Sequence, residues 1–176
     1  KPLLKMSSRA HSLGQNILFR ASEIAMSTLR QKAIEGLKEG DTFEIKRTFS
    51  DADIVQFEAL SRDHNPVHSD AVYAEAKGFD GVVAHGLLTA TLITEIGGQL
   101  GWLASSMSLR FKRPVYVGDE LTCVWKIIGI DSGNRAQAEV IVNNSNGQAV
   151  LLAETTGLLP NDAERKLLAS MTIDET

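Results

Sequence analysis

The sequence predicts an α+β domain in which an antiparallel sheet packs against one buried helix. Three observations support this fold class: an alternating strand pattern comes first, helical patterns follow it, and period-two patterns fill the last part. Alternation of apolar and polar residues indicates a half-buried strand, whereas apolar residues three and four positions apart indicate a helix. Helices and strands that are segregated along a chain are typical of the α+β class.

The first strand and the first helix meet at a clear boundary. Residues 42–49 alternate between apolar and polar side chains, and Arg47 interrupts the apolar face. Ser50 then starts a helix, because Ser50 and Asp53 fit a capping box in which each side chain satisfies the other residue's backbone N–H. We expect this helix to end near Ser61, since the Asn-Pro dipeptide that follows disfavours helix.

Two more helices are predicted before the run of strands. The first covers 70–77, with Ser69 as its N-cap and Gly78 as its stop, because glycine adopts the left-handed conformation at a helix end at little cost. The second covers 86–100 and has apolar residues on more than one face. We therefore expect this longer helix to be buried nearly all round.

Three antiparallel strands complete the predicted sheet. They cover 119–128, 135–142 and 148–156, where apolar side chains recur at about every second position. Asn146-Gly147 lies between the last two strands. This dipeptide favours a tight hairpin because both of its residues tolerate positive φ.

The length of 176 residues suggests a single domain. We predict that the domain covers 33–160, between a basic N-terminal extension at 1–32 and a C-terminal tail at 161–176. The extension is basic and poor in acids, as organelle-targeting presequences are, although an added upstream extension is the simpler explanation. We therefore expect a cytoplasmic protein, with the mitochondrial matrix as the alternative if the extension is a presequence.

The composition argues against several classes of protein. The net charge of −4 disfavours a nucleic-acid binder, which usually carries a basic face, and no apolar run is long enough to span a bilayer. Cys123 is the single cysteine, so an intrachain disulfide and a cysteine-built zinc site are both excluded. No phosphate loop or dinucleotide fingerprint is present, and we expect neither a cofactor nor a metal.

Residues 63–68 form the motif that most directly indicates chemistry, D-x-N-P-x-H, with Asp63, Asn65 and His68 as its polar members. A carboxylate and an imidazole that converge on one water can polarise it and take its proton. The asparagine can hold the water or the substrate without exchanging a proton. An ordinary Asx-Pro turn is the alternative, because a carboxylate at a helix end often accepts hydrogen bonds from backbone N–H groups.

Gly86 stands where the long helix is predicted to begin. The first N–H groups of a helix lack intrahelical partners and carry partial positive charge. A ligand oxygen can approach the Gly86 N–H closely because glycine has no side chain, which suits the oxyanion formed from a thioester carbonyl. A glycine that merely lets the helix start close beneath the sheet is the alternative.

Three segments together resemble the MaoC-like (R)-specific enoyl-CoA hydratases. They are D-x-N-P-x-H at 63–68, G-F-x-x-x-V-x-H-G at 78–86, and S-L-R-F-K-R-P-V-Y-V-G-D-E-L at 108–121. The resemblance implies a hot-dog fold, an antiparallel sheet wrapped around a long central helix. It also implies reversible addition of water to a trans-2-enoyl thioester, giving an (R)-3-hydroxyacyl thioester.

The resemblance also assigns roles to individual residues. Asp63 and His68 would activate the water and handle the proton delivered to the α carbon, with Asn65 in support. The Gly86 N–H would bind the thioester oxygen. The implied substrate carrier is coenzyme A or an acyl carrier protein, and the implied assembly is a homodimer, which an exposed sheet edge also favours.

The remaining candidate residues have simpler explanations. We expect His64 to point to solvent, His85 to make a structural hydrogen bond, and Cys123 to lie in the core. His11 belongs to the N-terminal extension. Lys112 and Arg113 either meet the phosphates of the carrier or lie at a solvated strand end.

Two other functions are possible on the same scaffold. A hot-dog thioesterase would attack the carbonyl carbon instead of the double bond, and the intact D-x-N-P-x-H motif argues against it. A non-catalytic module that binds acyl thioesters is the other, because a fold does not determine a function. Such a module would be expected to lack Asp63 or His68, and this chain has both.

Overall fold

The computed structural model describes residues 28–171. The basic segment up to residue 27, with His11, and residues 172–176 therefore lie outside the described part of the chain. Helices and strands alternate irregularly along the rest. In chain order they are helix α1 (28–35), strand β1 (Thr42–Thr48), helix α2 (Asp51–Ser61), a 3₁₀ turn (Pro66–His68), helices α3 (Ala71–Ala76) and α4 (Gly86–Leu100), strands β2 (Leu103–Phe111), β3 (Glu120–Ile130), β4 (Arg135–Asn144) and β5 (Ala149–Leu158), and helix α5 (Asp162–Met171).

The strands form an antiparallel sheet with the order β1-β3-β4-β5-β2 within the described residues. The predicted hairpin between β4 and β5 is confirmed, since the Asn144 N–H donates to the Gln148 carbonyl at 3.0 Å. Of the predicted turn pair, only Gly147 has positive φ. The strands β1 and β2 are the two edges, so β2 is paired on one side, by β5.

The core lies between the inner face of the sheet and α4. Every second residue of β3 and β4 is buried, as the alternation predicts, and Cys123 is fully buried among them. Arg47 interrupts the apolar face of β1 because its guanidinium leaves the core and donates to Glu95 of α4 at 2.9 Å. The helix α4 is buried except along one flank, where Leu87 is 58% exposed, so the prediction of burial nearly all round is wrong on that flank.

The ends of the helices show which cap predictions are correct. The capping box of α2 is confirmed: the Asp53 N–H donates to Ser50 Oγ, and the Ser50 N–H donates to the Asp53 carboxylate. The Ser50 hydroxyl also donates to this carboxylate, at 2.7 Å, and the bonds from the Ser50 N–H and hydroxyl lower the pKa of Asp53. Ser69 does not cap the next helix; the N-cap is Asp70, whose side chain accepts from the Tyr73 N–H at 2.9 Å. An aspartate is at least as good a cap as a serine, and here it stands one residue nearer the helix.

Three elements were not predicted from the sequence. The helix α1 begins inside the segment that we assigned to the extension, and its Leu29 belongs to the core cluster. Strand β2 follows α4 directly, and α5 occupies the segment that we predicted as a tail. None of the described helices has the length and hydropathy needed to span a membrane.

Candidate active site

The loop that joins α2 to α3 is shaped by short-range hydrogen bonds. Arg62 closes α2 in the left-handed conformation with φ of 58°, and its N–H donates to the Glu58 carbonyl. Two Asx turns follow: Asp63 Oδ1 accepts from the Asn65 N–H at 3.2 Å, and Asn65 Oδ1 accepts from the Val67 N–H at 3.3 Å. The loop therefore has the geometry expected of an ordinary Asx-Pro turn. Only Oδ1 of Asp63 takes part in these turns, however.

The other oxygen of Asp63 faces His68. Asp63 Oδ2 lies 3.8 Å from His68 Nε2, and the His68 side chain is only 11% exposed. His68 Nδ1 lies 2.8 Å from the Val83 carbonyl oxygen, which can only accept a hydrogen bond. A neutral His68 therefore carries its proton on Nδ1 and presents the Nε2 lone pair toward Asp63. Two acceptors at this separation can share a donor such as water.

Asn65 is placed beside the pair but does not join it. Its side-chain oxygen is the N-cap of the 3₁₀ turn, and the residue is exposed. This bond leaves the amide NH₂ group of Asn65 and the second lone pair of its side-chain oxygen for a ligand. The structure therefore brings Asp63 and His68 together, while the evident task of Asn65 is to shape the loop between them.

His85 is buried directly behind the pair. Its ring stacks on the His68 ring with centroids 3.8 Å apart and an interplanar angle of 25°. Nε2 of His85 lies 3.1 Å from the Asp63 carbonyl oxygen, so this nitrogen is the donor, as expected for a structural hydrogen bond. The other ring nitrogen, Nδ1, is buried with no hydrogen-bond partner in the described part of the chain.

Gly86 is the first residue of α4, immediately after His85. No side chain of the described residues caps this helix end. The Gly86 N–H therefore belongs to the set of first-turn donors that have no intrahelical partner. A Cβ built on Gly86 would lie 2.8 Å from Cε1 of Phe111, so the ring of Phe111 covers the Cα of this residue. Sequence reasoning missed Phe111, because nothing local shows that β2 brings it to the start of α4.

A cavity of about 520 Å³ opens at this place. Asp63, Gly86 and Phe111 line it, and so do Lys112 and Arg113. The positive charges are placed where a phosphorylated ligand would meet them, although one guanidinium nitrogen of Arg113 already donates to the Ala149 carbonyl at 2.6 Å. His68 does not line the cavity, so a ligand in it meets the pair through Asp63.

The acid–base pair and His85 form the one group of potential metal ligands found among residues 28–171. Ligand atoms of Asp63, His68 and His85 lie within 4.8 Å of one another. The two imidazole rings are nearly parallel, with centroids 3.8 Å apart, so their in-plane lone pairs lie in nearly parallel planes, which is unfavourable for sharing one ion. One nitrogen of each ring is bonded to a backbone carbonyl, which leaves the other nitrogen of each ring for a proton or a ligand.

The remaining candidates lie as expected or away from the site. The His64 side chain is 70% exposed and lies 2.8 Å from a Glu58 carboxylate oxygen. The thiol of Cys123 is buried in the core, and burial, with a smaller contribution from Glu95, raises its pKa to about 12. Neither residue lines the cavity.

The chain is similar in sequence to a known family and to several of its members. Residues 35–149 match the family described as the MaoC like domain. An (R)-specific enoyl-CoA hydratase of Rhodospirillum rubrum is 32% identical over 130 residues, which cover 72% of this chain and 90% of that protein. A mitochondrial 3-hydroxyacyl-(acyl-carrier-protein) dehydratase of Arabidopsis thaliana is 32% identical over 154 residues, which cover 84% of this chain and 89% of that protein.

A solved structure shows the same fold. The (R)-hydratase from Aeromonas caviae involved in PHA biosynthesis superposes with a TM-score of 0.67 at 31% identity, covering 71% of this chain and 98% of the other. The hot-dog fold, with its antiparallel sheet around a central helix, is thereby confirmed. The family match and the hydratase and dehydratase relatives lead to one conclusion: the chain belongs to the MaoC-like family of hydro-lyase enzymes.

Proposed function

We propose that the chain reversibly hydrates trans-2-enoyl thioesters to (R)-3-hydroxyacyl thioesters. The observation that supports this most directly is that Asp63, one member of the acid–base pair, and Gly86, at an open helix N-terminus, line one cavity. Asp63 Oδ2 and His68 Nε2 lie 3.8 Å apart, and Gly86 lines the same cavity as Asp63. The hydratase relatives of similar sequence support the same reaction.

The chemistry follows from where the charges develop. A water held by Asp63 and His68 gives one proton to this pair while its oxygen bonds to C3 of the enoyl group. The electrons of the C2–C3 double bond move toward the carbonyl, and the resulting oxyanion accepts a hydrogen bond from the Gly86 N–H. A proton from the pair then goes to C2, so that one water has been added. Dehydration is the reverse sequence.

The experiment that tests the reaction follows the loss of the C2–C3 double bond and the cleavage of the thioester bond in the same sample. Purified protein is mixed with enoyl-CoA esters of several chain lengths, and the loss of the conjugated ultraviolet band is followed together with the release of free thiol. We expect loss of the band with no thiol released, because the water is directed at C3. Release of coenzyme A at the rate of enoyl loss would identify a thioesterase instead. Tight binding without either change would identify a non-catalytic binding module.

The carrier attached to the acyl group is a finer part of the proposal. Relatives of both types occur, one named for coenzyme A and one for acyl carrier protein. Lys112 and Arg113 support a phosphorylated carrier in either case, because both line the cavity. Replacing both by alanine should raise KM for an enoyl-CoA but not for an enoyl thioester of N-acetylcysteamine, which has no phosphate. An equal effect on both substrates would rule out a phosphate contact.

We propose that the reaction needs neither a metal nor a cofactor. Stacking of the His68 and His85 rings is unfavourable for a shared ion, and water addition of this kind needs only a base, an acid and an oxyanion donor. Activity should therefore be unchanged after dialysis against a strong chelator. Loss of activity that a divalent cation restores would contradict this.

We also propose a homodimer. The edge strand β2 has an unpaired side among the described residues, and Leu103 is exposed on this strand. Edges of this kind are usually covered, because they expose backbone groups that can pair with another chain. Sedimentation should give a dimer at micromolar concentration, and a clean monomer would contradict the proposal.

The compartment in which the protein acts is also part of the proposal. We propose the cytoplasm, with the mitochondrial matrix as the alternative, which the mitochondrial relative from Arabidopsis thaliana supports. Residues 1–27 fused to a fluorescent protein distinguish the two. Mitochondrial fluorescence would favour the alternative, and diffuse cytoplasmic fluorescence would favour the first.

A further inference from the structure

Phe111 occupies a position that the proposed reaction does not yet use. It is the last residue of β2, its side chain is 53% exposed, and it lines the cavity. Three of its ring carbons lie 2.8, 3.0 and 3.1 Å from where a Cβ of Gly86 would be. A half-exposed aromatic ring that lies on the backbone of the proposed oxyanion donor has no structural task that β2 itself explains.

The ring is close enough to touch whatever binds the Gly86 N–H. A Cβ lies about 2.5 Å from the nitrogen of its own residue, so the ring lies within about 5.3 Å of the Gly86 nitrogen. A carbonyl oxygen bonded to that N–H lies about 2.9 Å from the nitrogen. The carbonyl carbon carries two arms, the sulfur with its carrier and C2 with the acyl chain. The ring is therefore within reach of one of these arms.

The position of the acid–base pair decides which arm this is. C3 must reach the water held by Asp63 and His68, which approach the cavity from the loop between α2 and α3. Phe111 approaches from β2, and Lys112 and Arg113 follow it along the wall of the same cavity. When C2 and C3 point to the loop, the sulfur and the pantetheine arm point to β2 and the two basic residues.

We propose that Phe111 is a specificity-determining residue whose ring holds the sulfur side of the thioester against the first turn of α4. This rests on the proposed function, since it takes the Gly86 N–H as the carbonyl donor. Its consequence is that Phe111 contacts the part of the substrate that all acyl chain lengths share. Phe111 therefore selects for a thioester and its carrier arm, and not for the length of the chain.

The test compares four variants on two substrates. Phe111→Ala and Phe111→Leu remove the ring, Phe111→Tyr keeps it, and Met107→Ala is the matched control. Met107 lies on the same strand and the same face and is 40% exposed, but it does not line the cavity. Kinetics are measured with a four-carbon and a ten-carbon enoyl-CoA, and the dissociation constant of butyryl-CoA, which cannot be hydrated, is measured by calorimetry.

We expect Phe111→Ala to raise KM about tenfold for both chain lengths with a smaller change in kcat, as for the loss of one aromatic contact. The butyryl-CoA dissociation constant should rise by the same factor, while Phe111→Tyr and Met107→Ala stay near the wild type. An effect confined to the ten-carbon substrate would overturn the proposal, because the ring would then contact the acyl chain. An unchanged KM, or an equal effect of Met107→Ala, would also overturn it.

Two further measurements distinguish a failure of this inference from misfolding of a variant and from a failure of the proposed function. Sedimentation and circular dichroism of each variant show whether it is folded and assembled, and Phe111→Leu carries the test if Phe111→Ala is not. Wild-type protein that releases thiol or leaves the enoyl group intact refutes the proposed function. If its affinity for butyryl-CoA still falls in Phe111→Ala, the contact with the thioester is supported even so.

Discussion

The Gly86 N–H can be removed with little change to the fold, which makes its role directly testable. Gly86→Pro deletes the donor at the first position of α4, where proline is tolerated. A proline also restricts the residue before it to extended conformations, and His85 already has φ of −58° and ψ of 134°. The conformation of His85 is therefore already compatible with proline at position 86.

The effect of losing the N–H must be separated from a steric effect, because alanine and proline at position 86 both add a Cβ. That atom would lie 2.8 Å from the Phe111 ring, which is 0.6 Å short of the 3.4 Å at which ordinary contact begins. Overpacking costs roughly 1–3 kcal/mol in a rigid core, and the exposed end of a side chain should cost less than that. Loss of one oxyanion donor costs about 3 kcal/mol of transition-state stabilisation, or roughly a hundredfold or more in kcat.

Removing the ring isolates the N–H. In a Phe111→Ala background, Gly86→Ala keeps the donor and Gly86→Pro lacks it, and neither Cβ meets the ring. Turnover is measured at saturating enoyl-CoA, so that the weaker binding of the background variant does not enter. We expect Gly86→Pro to be slower by about a hundredfold or more and Gly86→Ala to be near the background. Equal turnover of the two folded double variants would show that the oxyanion is held elsewhere.

Four other predictions concern individual side chains. Asp63→Asn and His68→Gln should each lower kcat about a hundredfold or more. The double variant should be little slower than the slower single variant, because both residues act on one water. With His64→Gln as the control, near-normal kcat in both single variants would contradict the assignment. Cys123, whose pKa is raised to about 12, should resist iodoacetamide at pH 8 in the native protein and react in urea; rapid native labelling would show that it is accessible. Ser50→Ala should lower the free energy of unfolding by about 1 kcal/mol in urea titrations. Because the folded-state pKa of Asp53 lies below its ordinary value of 3.8, the stability from this carboxylate is present above that pH and is lost as the pH falls through the folded-state pKa. The difference in the free energy of unfolding between the wild type and Asp53→Asn should therefore become smaller as the pH falls. A difference that does not change with pH would refute the contribution of the Asp53 charge.

The parts of the fold that the sequence predicts are those in which one face is buried and the other is not. Strands β3 and β4 alternate in sequence because they alternate in burial. Strand β2 was missed although Met107, Leu109 and Phe111 alternate with Ser108 and Arg110 in its second half. The helix α5 was also missed, although Asn161 and Glu164 bond each other's backbone N–H groups as in a capping box. That signal was available from the sequence.

The candidate site was predictable where its geometry is local. Asp63 and His68 are five positions apart, and one proline turn brings them together. The contacts of His85 and Phe111 with the site depend on the packing of α4 and β2, and no spacing in the sequence shows them. The correct expectation of a structural bond for His85 came from the general cost of burying an unpaired polar ring, not from any indication of its partner.

The segment from Val83 to Gly86 aligns both halves of the site. Val83 donates its N–H to the Val67 carbonyl and accepts from the His68 ring, His85 holds the Asp63 carbonyl, and Gly86 presents its own N–H. If Asp63, His68 and Gly86 act as proposed, activity requires the docking of this segment as well as the folding of the loop. In native-state hydrogen exchange, the Val83 and His68 amides should therefore open with the same free energy, as a single cooperative unit.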